Sequence, residues 1–178
     1  MKQIKITKEM RSFAIECQSI TLEKMYNTDS NYTGLHEPNR FYYGYLGEFV
    51  FVKWLKESNI NFKYEVNANE YPDEEDFILY ANNGKPITVD VKTATKPHYK
   101  NIMFPKPQAE KYTYDCYVGV RLLSDDLAQV CGYCQKKDFT LSEMMFKVPT
   151  YYKALDELNN MDRLKAGVIK DGLFIAKI

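Results

Sequence analysis

Apolar and polar positions alternate along the chain in a way that predicts a helical start, a strand-rich middle and a helical end. Thr7 stands where a helix cap belongs. Met10, Phe13, Cys17 and Ile20 then recur at helical spacing, which predicts a first helix to about Tyr26. The stretch from Asn27 to Asn39 is polar, holds Gly34 and Pro38, and reads as a loop. A second helix, about Phe41 to Glu57, carries Phe41, Tyr45, Val52 and Leu55 along one stripe. Glu48 falls inside that stripe, three residues after Tyr45 and four before Val52.

Strand patterns follow. Phe62 to Val66 and Asp76 to Tyr80 are the first two. Asn82-Asn83-Gly84 is a turn signal, and Ile87 to Thr93 alternates strictly. Pro105 and Pro107 introduce a short helix with Gln108 and Tyr112. Asp115 to Leu123 and Ala128 to Cys134 read as two more strands, joined through Ser124-Asp125-Asp126. Asp138 or Thr140 is placed to cap a helix through Met145, Tyr151 to Leu164 reads as the last long helix, and Leu173 to Ala176 as a closing strand. This order predicts an α/β (α+β) fold with a mixed sheet covered by helices.

Composition narrows the function classes. A chain of 178 residues with 45% hydrophobic content suits one domain spanning 1–178. No apolar run approaches the roughly 20 residues that cross a bilayer. Met1 to Lys5 leads into a polar helical pattern with no signal-peptide core, so a soluble, cytoplasmic protein without a membrane partner is expected. The four cysteines, Cys17, Cys116, Cys131 and Cys134, are too sparse for a disulfide framework, and reduced thiols are expected. Net charge is zero, with 24 basic and 24 acidic side chains, which counts against binding nucleic acid by bulk charge. The distribution is uneven, however. Six carboxylates (Glu65, Glu70, Asp73, Glu74, Glu75, Asp76) occur without a base, and Lys92, Lys96, Lys100, Lys106 and Lys111 then follow against Glu110 alone. Such an order suits a site for a cation and a polyanion, although solvated faces also cluster charge.

The candidate chemistry sits on the third strand. Ile87, Val89 and Val91 share one face, and Thr88, Asp90 and Lys92 the other. If Asn82-Asn83-Gly84 is a three-residue loop with Gly84 left-handed, Ala81 pairs with Lys85 and Asp76 falls opposite Asp90. Asp73 then has the wrong parity, and a slip of one residue would exchange the two. Facing carboxylates call for a cation between them, and hard divalent ions such as Mg²⁺ or Mn²⁺ take oxygen ligands. Glu48 supplies a third carboxylate from an apolar stripe where an unpaired charge is expensive. Lys92 cannot ligate a metal as an ammonium, but it can hold an attacking water and offset charge on a phosphate.

Gly44-Tyr45-Leu46-Gly47-Glu48, then Asp76-Phe77-Ile78-Leu79, then Val89-Asp90-Val91-Lys92-Thr93 resemble the successive motifs of the PD-(D/E)XK nuclease superfamily. The resemblance covers about residues 41–123. It implies a restriction-endonuclease-like core, a mixed sheet flanked by helices, and magnesium-dependent cleavage of phosphodiester bonds. It makes Glu48, Asp76 and Asp90 metal ligands and Lys92 the catalytic lysine. Gln108-Ala109-Glu110-Lys111-Tyr112 is also similar to the Q-x-x-x-Y helix of RecB-like exonucleases, which adds Gln108 to the expected catalytic set. The chain departs from the usual pattern in having Asp as the acidic residue of the lysine motif, and in the displacement of Pro72-Asp73 from Asp76.

The expected partner is DNA, with RNA as an alternative and a homodimer left open. Lys96, Lys100, Lys106 and Lys111 would hold backbone phosphates without reading sequence. Four arginines (Arg11, Arg40, Arg121, Arg163) leave few readers of guanine edges, so little sequence specificity is expected. A non-catalytic binding or assembly subunit with the same fold is the rival reading. Cys131-Gly132-Tyr133-Cys134 is a lone C-x-x-C and reads as structural, because residues three apart on a regular strand face opposite ways. His36 and His98 have no partner visible in the sequence. Tyr99, Phe104, Tyr112 and Tyr114 interleave with the lysines, where core packing and base stacking are both open to them.

Overall fold

The computed structural model describes residues 2–28, 39–65, 77–143, 148–170 and 175–177. Its elements run β1 (Lys2–Lys5), α1 (Lys8–Thr28), α2 (Arg40–Glu57), β2 (Phe62–Glu65), β3 (Phe77–Tyr80), β4 (Pro86–Ala94), β5 (Asn101–Pro105), α3 (Lys106–Lys111), β6 (Cys116–Ser124), β7 (Leu127–Cys134), β8 (Thr140–Ser142), β9 (Thr150–Ala154), α4 (Met161–Gly167) and β10 (Ile175–Lys177). Seven strands form a mixed sheet in the order β1-β7-β6-β4-β3-β2-β10, and β5-β9-β8 form a second, smaller sheet. The fold is therefore α+β, a mixed sheet flanked by helices.

The two long helices arise where the apolar periodicity places them. The Met10 N–H donates to the Thr7 hydroxyl, which starts α1 as its cap. The buried stripe of α1 is Ala14, Cys17 and Thr21, with Met10 beside it; Phe13 turns outward and meets Phe49 edge-on. Helix α2 is buried at Tyr45, Leu46, Gly47, Phe49, Val50, Phe51, Trp54 and Leu55, more of its circumference than one stripe, because α1 packs on one side and the sheet on another.

Strand β4 divides the core. Val89 and Val91 join Phe77, Leu79, Phe62, Tyr64 and the α2 side chains in one cluster. Ala94 joins Ile102 and Phe104 of β5, Ala109 of α3, Tyr117, Cys131 and Cys134 in another, beneath the small sheet. The hairpin has the predicted register: the Ala81 N–H donates to the Lys85 carbonyl, Phe77 lies opposite Val89, and Gly84 has φ +79°. Between β4 and β6 the ladder is parallel, with Asp90 beside Tyr117, and β5 and α3 form part of the crossover.

Several expectations are corrected. The N-terminus forms β1, an edge strand antiparallel to β7, where no strand was expected. Strand β5 occupies a stretch that carried no strand signal. The helix expected from Asp138 or Thr140 is a single 3-10 turn, Lys136–Asp138, followed by β8. The long helix expected over Tyr151 to Leu164 is instead β9, a 3-10 turn at Leu155–Glu157 and the short α4. The reason lies in β6 and β7, where Gly119 and Gly132 face each other and leave no Cβ between the strands and the segment above. Leu155 and Leu158 settle against Gly119, Leu158 also against Gly132, and the backbones of Tyr133 and Asn159 exchange hydrogen bonds of 3.1 and 2.8 Å.

A bulge beside that contact leaves Cys131 without a partner between the Gly119–Gly132 and Val120–Val130 pairs. Its extra residue reverses the alternation, so Cys131 and Cys134 share the second cluster. All four cysteines are free and buried, and burial raises the Cys131 thiol and pushes Cys134 up to about 12. Among the described residues, no helix is long and apolar enough to cross a membrane.

Candidate active site

Alternation along β4 puts Asp90 and Lys92 side by side on the face away from α2. The Lys92 ammonium donates to Asp90 Oδ2 at 2.7 Å, and the two side chains are 15% and 8% exposed. Lys92 Nζ also lies 5.3 Å from the centre of the Phe104 ring. Phe104 stacks on Tyr117, ring centres 5.1 Å apart, and Tyr117 is the register partner of Asp90. The pair thus sits under an aromatic lid that excludes water from one side and strengthens the attraction between its charges.

Glu48 approaches from α2, on the Val89 and Val91 side of the strand. Its carboxylate accepts a 2.9 Å hydrogen bond from the Tyr64 hydroxyl. Burial pushes its pKa up to about 7; Tyr64 opposes that shift, the Asp90 charge adds to it and Lys92 reduces it. Glu48 also helps to raise the thiol of Cys17 on α1. The three residues therefore share one electrostatic neighbourhood although they come from opposite sides of β4. The described pairing of β3 with β4 reaches Val89 and goes no further, while β6 accompanies β4 from Val89 to Ala94.

This donor set suits a hard divalent cation. Two carboxyls whose charges disfavour one another are relieved by a cation, and their oxygens are the ligands Mg²⁺ and Mn²⁺ take. Among the described residues no group of three or more His, Cys, Asp or Glu side chains converges tightly enough to hold a metal by itself. Asp76 and its competitor Asp73 lie outside the described residues, as does His36.

Gln108 is exposed on α3, and the hydrogen bond described for it runs from the Tyr112 N–H to its backbone carbonyl. No described hydrogen bond or ion pair joins its side chain to Asp90 or Lys92. Lys96, Lys100 and Lys111 are exposed, and Lys106 is partly buried, 3.9 Å from Glu110. Lys96 and Lys111 lie over the rings of Tyr99 and Tyr112. His98 is exposed and edge-on to Tyr99.

Sequence reasoning missed Tyr64 as the partner of Glu48, and Phe104 and Tyr117 as neighbours of Lys92 and Asp90. Tyr64 was within reach, since it shares a face of a correctly predicted strand with Phe62. Phe104 belongs to the unpredicted β5, and only the sheet register brings Tyr117 alongside Asp90. Comparison with protein-family models, with curated proteins and with solved structures finds no match to this chain.

Proposed function

We propose that this chain is a divalent-metal-dependent nuclease of the PD-(D/E)XK kind, hydrolysing phosphodiester bonds of DNA with little sequence specificity. The observation that supports this reading most is the buried Asp90–Lys92 pair with the proton-seeking Glu48 carboxyl close enough to feel both charges. A buried ion pair alone is an ordinary structural device. A second carboxyl brought to it from another element adds repulsion that the fold does not need for stability.

In this reading Glu48, Asp76 and Asp90 hold Mg²⁺ or Mn²⁺, which when bound polarises a phosphoryl oxygen and eases attack by water. Asp76 immediately precedes Phe77, whose partner Val89 adjoins Asp90. Lys92 gives one N–H to Asp90 and keeps two for an attacking water or a phosphoryl oxygen, where its charge offsets the negative charge that develops. Tyr64 fixes the Glu48 carboxyl through its hydroxyl. Lys96, Lys100, Lys106 and Lys111 supply phosphate contacts on the segment that leaves β4, and Gln108 lies among them on α3. Four buried free thiols suit a reducing cytoplasm.

The test is incubation of the intact protein with linear and circular DNA, and with RNA of matched length, with and without Mg²⁺ or Mn²⁺. Metal-dependent cleavage of DNA is expected. Folded protein that cuts none of these substrates in either metal would end the nuclease reading, and cleavage of RNA alone would reassign its substrate.

A further inference from the structure

Gly47 of α2 packs directly against Thr93 of β4. A Cβ built on Gly47 would overlap the Thr93 hydroxyl and lie 3.1 and 3.2 Å from the Thr93 Cβ and Cγ2. The Thr93 hydroxyl is itself buried and has no hydrogen-bond partner. It is not held there by polar bonding; it fills the space that the missing side chain leaves. Each residue of this contact is the covalent neighbour of a site residue: Glu48 follows Gly47, and Lys92 precedes Thr93. Helix and strand are thus pinned together one residue from each of the groups that must meet.

We infer that the Gly47–Thr93 contact is a positioning device, setting how far the Glu48 carboxyl stands from Asp90 and Lys92. The inference rests on the nuclease reading for its catalytic consequence, and on packing alone for its geometric one. A side chain at 47 wedges α2 away from β4 at this point. Glu48 moves with the helix while Asp90 and Lys92 stay with the strand. A displacement near 1 Å at such a site costs about 100-fold in rate. The far end of α2 is buried at Trp54 and Leu55, so the displacement is confined to the region around Gly47 and Glu48.

The experiment has two readouts. One is turnover on linear DNA with Mn²⁺. The other needs no activity: the stability coupling between Glu48 and Lys92, from an E48Q/K92M double-mutant cycle in urea. Gly47→Ala should lower kcat about 100-fold with KM changed less than about threefold, and should abolish the coupling. Adding Thr93→Ala removes the overlapping atoms and should restore both. Thr93→Val keeps the bulk, deletes the unpartnered hydroxyl and widens the contact slightly; it should leave the melting temperature undiminished while kcat falls severalfold. A merely structural contact would instead move stability and turnover together. The inference is overturned if Gly47→Ala keeps both coupling and turnover, if G47A/T93A is no better than G47A, or if Thr93→Val matches the wild type in kcat. Should Gly47→Ala fail to fold, Thr93→Val decides. If the wild type cuts no DNA but the coupling is lost in G47A and regained in G47A/T93A, the contact stands and the nuclease reading falls.

Discussion

The two faces of β4 are built from the same nine-residue strand and do opposite work. On one, Val89 and Val91 disappear into the cluster beneath α2, where any apolar group of the right volume would serve. On the other, Asp90 and Lys92 are nearly as buried but carry charge, and no exchange of volume replaces them. Burying a charged pair rarely stabilises a fold more than apolar packing does. The difference teaches where to look for function. A strand whose apolar face already holds the core has its second face free for groups chosen for chemistry.

The sharpest test of that contrast concerns Asp76 and Asp73. On the register reading, Asp76→Ala abolishes metal-dependent cleavage of linear DNA, and Asp73→Ala keeps most of it. The reverse result would mean that the residue facing Asp90 had been misassigned. Next in size is Lys92→Ala, which should lower kcat about 100-fold or more in single-turnover assays, while DNA affinity by fluorescence anisotropy falls little. Parallel losses would make Lys92 a phosphate clamp.

The apolar face should respond the other way. Val91→Ala removes buried methyl groups and should cost about 1.5–3 kcal/mol in urea unfolding, with turnover of the folded fraction changed less than about twofold. A large loss of turnover at full occupancy would show that the two faces are not independent.

The smallest effect is one of pH. Glu48 has its folded pKa near 7, above the ordinary 4.5, so the metal-free fold holds a proton that the unfolded chain releases sooner. That contribution to stability is full below about pH 4.5 and is lost as pH rises through 7. Metal-free Glu48→Gln should therefore be the more stable protein at about pH 8 by a few degrees of melting temperature, with a flatter profile between about pH 5 and 8. A wild type whose advantage grew with pH would contradict the buried, proton-seeking carboxyl.

What the sequence made legible was local. Gly84 takes the left-handed backbone that a three-residue loop Asn82-Asn83-Gly84 requires, and given that loop the hairpin register follows. The alternation from Ile87 to Thr93 then sorts Asp90 and Lys92 onto one face, and helical spacing delivers Glu48 on α2. What stayed hidden was decided by contacts distant in the chain. Tyr151, Leu155 and Leu158 have helical spacing, yet β5 and β8 recruit Thr150 to Ala154 as a strand. Gly119 and Gly132 draw Leu155 and Leu158 down onto the sheet. Polar Lys2 to Lys5 gave no strand signal because an edge strand takes its order from the ladder of β7 rather than from its own apolar content.

The strand order also governs how the molecule is assembled in time. Both edges of the large sheet close over long stretches of chain: Lys2 must find Val130, and Lys63 must find Ile175. Loop-closure entropy opposes such pairings until the interior of the sheet exists to reward them. The β3–β4 hairpin needs no such wait, since only Ala81 to Lys85 separate its strands. On a ribosome, the hairpin that sets the start of β4 can therefore form early, whereas the Asp90 and Lys92 positions wait for β6 and strand β10 cannot pair until Ile175 has been made.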